Sequence, residues 1–202
     1  MKELVFATHN SHKAEEIQSL LEGIYAITDL RQLNHLDDVP EDRETLEGNA
    51  AMKAWHIFNI FKKDCFADDT GLEVEGLNGA PGVYSARYAE MTGDRRKEES
   101  VSSANIRKLL NRLEGETNRQ ARFRTVICLI LDGKEYFFKG MVKGIITEQE
   151  RGTEGFGYDP VFLPEGYKRT FAEMSLDEKN RISHRAEAVK GLAEFLRILS
   201  RQ

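Results

Sequence analysis

The stretch Asp64-Cys-Phe-Ala-Asp-Asp-Thr-Gly-Leu72 places two adjacent carboxylates directly after a short apolar run. The apolar run predicts the end of a buried strand, and Thr70 with Gly71 predicts a turn just after Asp68 and Asp69. In open α/β sheets, ligands collect outside the carboxyl ends of the strands. Carboxylates at that position suit a hard cation such as Mg²⁺, although Asp is also common in turns that have no ligand.

Composition restricts the class of protein around this stretch. The chain has 202 residues, of which 40% are hydrophobic and 31% charged, and this predicts one ordered domain or two closely joined lobes. The net charge of −5 argues against binding to a nucleic-acid backbone and leaves a small polyanion as a possible ligand. The N-terminal stretch lacks the apolar region of a signal peptide, and no apolar run approaches the length of a membrane span. We therefore expect a cytoplasmic protein with no membrane partner, in which the isolated Cys65 and Cys128 are free thiols.

The first connection has the layout of a phosphate site. Leu4–Ala7 predicts a strand, and apolar residues at helical spacing over Ala14–Leu21 predict a helix, so Thr8 to Lys13 joins the two. Backbone N–H groups at the start of that helix, with Lys13 and the polar side chains of Thr8 and Asn10, can hold phosphates. The alternative is that Lys13 is a solvated surface residue.

The next segment predicts an acidic loop at Pro40-Glu41-Asp42, followed by a helix with Thr45 as its N-cap. On that helix, Asn49 and Lys53 lie one turn apart on the same face and can point together into a cleft.

The middle of the chain predicts a lid or a structural corner at Gly79-Ala-Pro-Gly82 and a helix from about Asp94 to Leu113. A strand over Arg122–Leu131 and an Asp132-Gly133 hairpin turn follow. Further strand is predicted at Tyr136–Phe138, Met141-Val142 and Ile145-Ile146, which makes this an antiparallel hairpin region.

The last third of the chain places an aromatic residue among glycines, in Gly152-Thr-Glu-Gly-Phe-Gly-Tyr-Asp-Pro160. The ring of Phe156 offers a face on which a nucleobase can stack, or it fills core at a glycine-rich corner. Ser175 and Glu178 match a capping box for a short helix that carries Lys179. Ser183 begins the final helix, and we expect His184 and Arg185 in its exposed first turn.

Six ordered segments of the chain together resemble the signature set of the inosine triphosphate pyrophosphatase family. They are Thr8-His-Asn-Ser-His-Lys13, Asn49-Ala-Ala-Met-Lys-Ala54, Ala67-Asp-Asp-Thr-Gly-Leu72, Gly79-Ala-Pro-Gly-Val-Tyr-Ser-Ala-Arg87, Gly155-Phe-Gly-Tyr-Asp-Pro160 and Ile182-Ser-His-Arg185. The resemblance spans nearly the whole chain. It implies hydrolysis of non-standard purine nucleoside triphosphates such as ITP, dITP and XTP to the monophosphate and pyrophosphate. It also implies a Mg²⁺-dependent homodimer with an elongated, mixed-sheet, two-lobed α/β fold and the active site in the cleft between the lobes.

The resemblance also carries residue roles to matching positions. Asp69 would be the catalytic acid/base, and Asp69, Glu41 and Asp68 would be the metal-side carboxylates. The substrate would be bound by residues of five of the six segments and of the Lys179 helix, namely Thr8, His9, Asn10, Ser11, His12, Lys13, Lys53, Thr70, Phe156, Gly157, Tyr158, Asp159, Lys179, His184 and Arg185.

Three positions depart from the family pattern. Gly48 stands where Glu is frequent, Glu154 where Gly is usual, and Thr70 where Ser is common. Two other functions remain open at this point. One is a pyrophosphatase for modified pyrimidine nucleotides, and the other is a nucleotide-binding module without catalysis.

Overall fold

The computed structural model describes residues 3–21, 23, 25–37 and 39–199. The first two residues of the N-terminal stretch, for which no signal peptide was expected, lie outside the described residues. The described helices and strands are, in order, β1 (Glu3–Phe6), α1 (Ser11–Leu21), β2 (Ala26–Asp29), α2 (Leu46–Phe61), β3 (Cys65–Val74), β4 (Pro81–Gly82), α3 (Val101–Arg112), β5 (Gln120–Leu131), β6 (Lys134–Ile146), β7 (Phe162–Pro164), α4 (Leu176–Ile182) and α5 (His184–Leu199).

The chain divides into two compact units. Unit 1 contains Met1–Asp69, Thr125–Gly140 and Ser183–Gln202, and unit 2 contains Thr70–Arg124 and Met141–Ile182. Among the described residues the strands are hydrogen-bonded in the order β2-β1-β3-β5-β6-β7, with β4 paired to β3. β1 is parallel to β2 and β3, whereas β4 and β7 are antiparallel to their partners. The predicted mixed-sheet α/β class is therefore confirmed.

The core of unit 1 forms around β1 and β3. Phe6 pairs in register with Phe66, and the two rings stack with centroids 4.6 Å apart. Ile17 of α1 and Leu192 of α5 are fully buried in the same cluster. Strands covered by helices in this way are apolar along their whole length, which is why Leu4–Phe6 and Cys65–Ala67 lack polar alternation.

The predicted strand end at Asp68 and Asp69 is wrong, because β3 continues through both carboxylates to Val74. Pairing with β4, in which Leu72 lies opposite Gly82, keeps Thr70 and Gly71 extended despite their turn propensity. β1, in contrast, stops at Phe6. The two carboxylates therefore lie just past the last residue of a parallel neighbour, where its loop to α1 begins.

Unit 2 has its own aromatic core, in which the rings of Phe123, Phe162 and Phe171 contact one another. Its helix α3 begins at Val101, later than the predicted Asp94, because Ser100 caps it by accepting from the Ser103 N–H.

The hairpin between β5 and β6 has the predicted turn at Asp132-Gly133, where φ is 49° and 72°. The strand stretches predicted after it all lie in one continuous strand, β6. No helix in the described part of the chain is long and apolar enough to cross a membrane.

Candidate active site

The loop between β1 and α1 is shaped by its own side chains. Thr8 Oγ1 accepts from the Asn10 N–H at 3.1 Å, and Asn10 Oδ1 accepts from the Lys13 N–H at 3.2 Å. These bonds occupy N–H groups that a starting helix leaves without intrahelical partners, and they place Lys13 in the first turn. From there Lys13 Nζ reaches Asp68 Oδ1 at 2.9 Å.

Asp68 is buried between two cations of unit 1. Lys13 contacts one carboxylate oxygen, and Arg185 Nε lies 3.4 Å from the other. Burial by itself raises the pKa of this carboxyl group, but the nearby charges of Lys13, Arg185 and Lys53 outweigh it. The pKa of Asp68 is consequently held well below its ordinary value, and the group is an anion at neutral pH.

Arg185 is anchored from a second side by Glu16 of α1, whose carboxylate accepts from Nη1. The side chains of Arg185 and His184 are buried, with only 2% and 3% of each residue exposed, so the predicted exposed first turn of α5 is wrong. The helix start itself is confirmed, because Ser183 Oγ accepts from the Ala186 N–H.

A glycine brings this helix start close to β6. A Cβ on Gly140 would lie 2.0 Å from the His184 carbonyl oxygen, so no larger residue fits there without movement. The close approach of β6 buries the α5 start, which sequence periodicity could not reveal.

Asp69 has a different environment from Asp68. Asn49 Nδ2 donates to Asp69 Oδ2 at 3.1 Å, and Lys53 Nζ donates to Asp69 Oδ1 at 3.2 Å. Desolvation raises the pKa of Asp69, and although Lys53 and Lys13 oppose this, the net shift remains upward. The two adjacent carboxylates thus have pKa values moved in opposite directions, a pattern typical of sites with acid/base chemistry.

Asn49 and Lys53 of α2 do point the same way, as their spacing predicted. Asn49 Oδ1 also accepts from the Arg43 N–H at 2.8 Å, which fixes the orientation of its amide and ties the preceding loop to the helix. Lys53 Nζ contacts Glu41 Oε1 of that loop at 2.6 Å. Burial lowers the pKa of Lys53, but Asp69 and Glu41 more than offset this and raise it, so Lys53 stays charged.

Oxygen ligands for a divalent cation are present in this group. The carboxylates of Glu41 and Asp69 already converge on one positive charge, the ammonium group of Lys53. Mg²⁺ is normally bound by one or two carboxylates together with waters and substrate phosphates. In the residues that the structure describes, no group of three or more His, Cys, Asp or Glu side chains is arranged to hold a metal ion. Glu41 and Asp69 would supply the one or two carboxylates that a Mg²⁺ ion normally takes from a protein.

A second group lies within unit 2, around Phe156. Lys179 Nζ is 2.7 Å from Asp159 Oδ2 and 4.8 Å from the centroid of the Phe156 ring. The same Asp159 oxygen accepts from the Phe156 N–H at 2.9 Å. A Cβ on Gly155 would lie 2.1 Å from that oxygen, which explains why glycine is needed beside the aromatic ring. Lys179, predicted on the triphosphate, is placed here as the partner of Asp159.

Tyr158 supports the same segment from the core. Its hydroxyl donates to the Ser85 carbonyl oxygen at 2.9 Å, and desolvation by burial raises its pKa. Asn105 of α3 donates to the same carbonyl, which ties this helix to the stretch after the Gly79-Ala-Pro-Gly82 corner.

The remaining residues predicted to bind substrate make none of the carboxylate contacts described above. His9 is exposed, and its Nε2 donates to the His35 carbonyl oxygen at 2.8 Å. Ser11 is the first residue of α1, His12 is exposed, Thr70 is half-buried in β3, and Gly157 has a φ of 63°.

Two residues of unit 1 were missed as site residues. Asn49 was noticed for its spacing but not assigned to the site, and Glu16 was not considered. The available signal for Glu16 was its position three residues after Lys13, which puts both on one face of α1.

Among the departures from the family pattern, Gly48 is explained by crowding, because a Cβ there would lie 2.9 Å from Arg43 Cβ. Its neighbour Glu47 contacts Lys139 at 2.7 Å.

Comparison with known proteins decides the family, since the Ham1 family model matches residues 4–195. The chain belongs to the Ham1 family. The Ham1 chain is 50% identical to a dITP/XTP pyrophosphatase of Flavobacterium johnsoniae over 193 residues, covering 96% of this chain and 97% of that protein. It is also 50% identical to a dITP/XTP pyrophosphatase of Porphyromonas gingivalis over 197 residues, covering 97% of this chain and 98% of that protein.

Solved structures agree with this assignment. The Ham1 protein of Staphylococcus aureus superposes with a TM-score of 0.83 at 39% identity, covering 97% of this chain and 98% of that one. A Ham1 protein of Coxiella burnetii superposes with a TM-score of 0.84 at 35% identity, with the same coverage of the two chains. The family resemblance inferred from the six sequence segments is thereby confirmed.

Proposed function

We propose that this Ham1 family chain hydrolyses dITP, ITP and XTP to the nucleoside monophosphate and pyrophosphate. Relatives about 50% identical over nearly their whole length are named dITP/XTP pyrophosphatases, which supports the proposal. The observation that carries the proposal is the environment of the Asp69 carboxylate, which is buried and has a raised pKa. Lys53 contacts this carboxylate, and Lys13 contacts the adjacent Asp68.

Asp69 acts as the general base. A carboxylate with a raised pKa accepts a proton more readily than an ordinary one. Asp69 takes a proton from water as the water oxygen bonds to the α-phosphorus, and the bond from the α-phosphorus to the bridging oxygen breaks. That oxygen leaves as part of pyrophosphate. Asp68 is less suited to act as the base, because its two oxygens already contact Lys13 and Arg185 and its pKa is depressed.

The phosphates are held by positive charge in unit 1. The N–H groups and dipole of the α1 N-terminus favour an anion, and Lys13 and Lys53 add two cations. Glu41 and Asp69 would hold Mg²⁺ together with phosphate oxygens. The ion, when bound, neutralises charge on the phosphates and on the leaving pyrophosphate.

Base selection requires donors for the O6 atom of a 6-oxo purine, because an amino group at that position would leave them unpaired. Arg185 and His184 supply N–H donors, and Arg185 is held rigidly by Glu16 and Asp68. Within unit 2, Asp159 and Lys179 position the ring of Phe156.

The test is a pyrophosphate-specific assay with dITP, XTP, dATP and dUTP in the presence of Mg²⁺. We expect pyrophosphate from dITP and XTP, and a loss of at least about 100-fold in kcat for Asp69→Asn, because general-base catalysis contributes that much. Asp42→Asn, an exposed carboxylate in the Glu41 loop, is the matched control and should retain activity. Release of orthophosphate alone, or full activity of Asp69→Asn, would contradict the proposal.

We also propose that the enzyme is a Mg²⁺-dependent homodimer of the cytoplasm, as the sequence resemblance implies. Light scattering should give twice the mass of one chain, and chelation should abolish turnover until Mg²⁺ is restored. A monomeric mass in the active fractions would reject the dimer.

A further inference from the structure

The position of Lys53 suggests a role beyond binding phosphate. Its ammonium group lies 2.6 Å from Glu41 Oε1 and 3.2 Å from Asp69 Oδ1, and its side chain is only 5% exposed. It thus occupies the space between the two carboxylates proposed to hold Mg²⁺.

An ammonium group and a divalent cation cannot share these oxygens at low cost. Two positive charges at contact distance repel strongly, and the repulsion is larger where water is excluded. A metal ion binding to Glu41 and Asp69 must therefore displace Lys53. The displaced charge needs an anion to follow, since a buried ammonium without a partner is unfavourable.

We propose that Lys53 is a built-in counter-ion that keeps divalent cations off the Glu41–Asp69 pair until a triphosphate arrives to accept its ammonium group. This inference rests on the proposed function. Metal and nucleotide then bind together, and the protein alone has low affinity for the metal. Such coupling keeps the metal-bound site from forming without a substrate.

A second effect of Lys53 acts in the opposite direction. Lys53 also holds Glu41, which lies on an irregular loop before α2, beside Asp69. Removing Lys53 loosens that loop, which by itself weakens metal binding. The repulsion energy between two contacting cations in a buried site is larger than the free-energy cost of ordering one side chain. The net effect of removing Lys53 is therefore tighter metal binding.

The test measures Mn²⁺ affinity without nucleotide, by electron paramagnetic resonance of free Mn²⁺ or by calorimetry. We expect Lys53→Gln, which removes the charge but keeps a hydrogen-bond donor, to bind Mn²⁺ at least about tenfold more tightly than the wild type. Unchanged or weaker binding would overturn the proposal.

Lys13→Gln is the matched control. It removes one positive charge from the same unit, but Lys13 contacts Asp68 rather than Asp69 or Glu41. We expect its effect on Mn²⁺ affinity to be clearly smaller than that of Lys53→Gln. Equal gains in the two variants would show a general charge effect and would also overturn the proposal.

The wild-type protein provides a second measurement that does not depend on the folding of Lys53→Gln. With ¹³Cε-labelled lysine, the Lys53 resonance can be assigned by its loss in Lys53→Arg. Saturating Mg²⁺ should shift that resonance and leave Lys179 of unit 2 unchanged. A Lys53 signal that does not move at saturation would refute displacement. Pyrophosphate release by the wild type is a separate readout, so the proposed function can stand if this inference fails.

Discussion

At the scale of single residues, two adjacent aspartates have acquired opposite properties. Asp68 is held as an anion by Lys13 and Arg185, whereas desolvation makes Asp69 harder to ionise. Both side chains come from one strand, and they differ because alternate residues of a strand point to opposite faces. Residue type and local pattern alone do not distinguish their pKa values.

The stability contribution of Asp68 should depend on pH. Its folded-state pKa is depressed below the ordinary value of 3.8, so its stabilisation is fully present above that pH and is lost as pH falls towards the folded value. At pH 7 we expect Asp68→Asn to lower the free energy of unfolding by about 3–5 kcal/mol, because Lys13 and the buried Arg185 each lose a carboxylate contact. Urea denaturation without metal should show this deficit narrowing below about pH 4. A deficit that is constant down to pH 3 would contradict the assignment.

His9 should act by holding the loop between β1 and α1 in place, through its hydrogen bond to the His35 carbonyl oxygen. Gln places a donor where His Nε2 lies, so His9→Gln should behave like the wild type. We expect His9→Ala to raise KM for dITP about threefold to tenfold with little change in kcat, as for the loss of one hydrogen bond. Steady-state kinetics of the two variants checks this. Equal impairment of both would instead indicate that His9 contacts the substrate directly.

At the scale of elements, the start of α5 is positioned by β6. Gly140 allows the strand backbone to lie against His184 and Ala188, which fixes the turn that carries Arg185. A close approach of this kind depends on the absence of a Cβ on the strand and not on any property of the helix sequence.

We expect Gly140→Ala to destabilise the protein by about 1–3 kcal/mol, because its Cβ would force backbone to move. It should also reduce the preference for dITP over dATP as Arg185 shifts. Gly191→Ala, inside α5, is the control, since its Cβ would make only an ordinary contact with Phe138. That variant should be neutral or more stable by up to about 1 kcal/mol. Thermal unfolding and the two kcat/KM values measure these effects, and similar losses in both variants would contradict the explanation.

At the scale of the whole molecule, the chain passes repeatedly between its two units. Unit 1 is assembled from three separate segments, and β3, β5 and β6 each contribute residues to both units. Neither unit corresponds to one continuous stretch, so neither can fold as an independent section of the chain.

We therefore expect cooperative unfolding in a single transition. The one tryptophan, Trp55, lies in unit 1, where it donates to Glu135 and contacts the edge of Phe58, so its fluorescence reports that unit. Its denaturation midpoint should coincide with the midpoint from far-UV circular dichroism, which reports both units. Two separate midpoints would show that the units unfold independently.

Local sequence was sufficient for those features that depend on neighbours in the chain. Thr45 is the helix cap that was predicted, the last helix begins at Ser183 as predicted, Ser175 forms its capping box with Glu178, and Asp132-Gly133 forms the hairpin turn. Each is set by the hydrogen bonds and backbone angles of a few consecutive residues. The spacing of Asn49 and Lys53 also predicted correctly that they face the same way.

The sequence by itself determined the α/β class, most helix positions and, through six motifs, the family. Only the tertiary structure decided that β3 continues through Asp68 and Asp69, that Arg185 is buried on Glu16 and Asp68, and that Lys53 lies between Glu41 and Asp69. The physical reason is that burial and charge pairing depend on residues far apart in the chain. Asp68 and Arg185 are separated by 117 positions, and no local pattern encodes their contact.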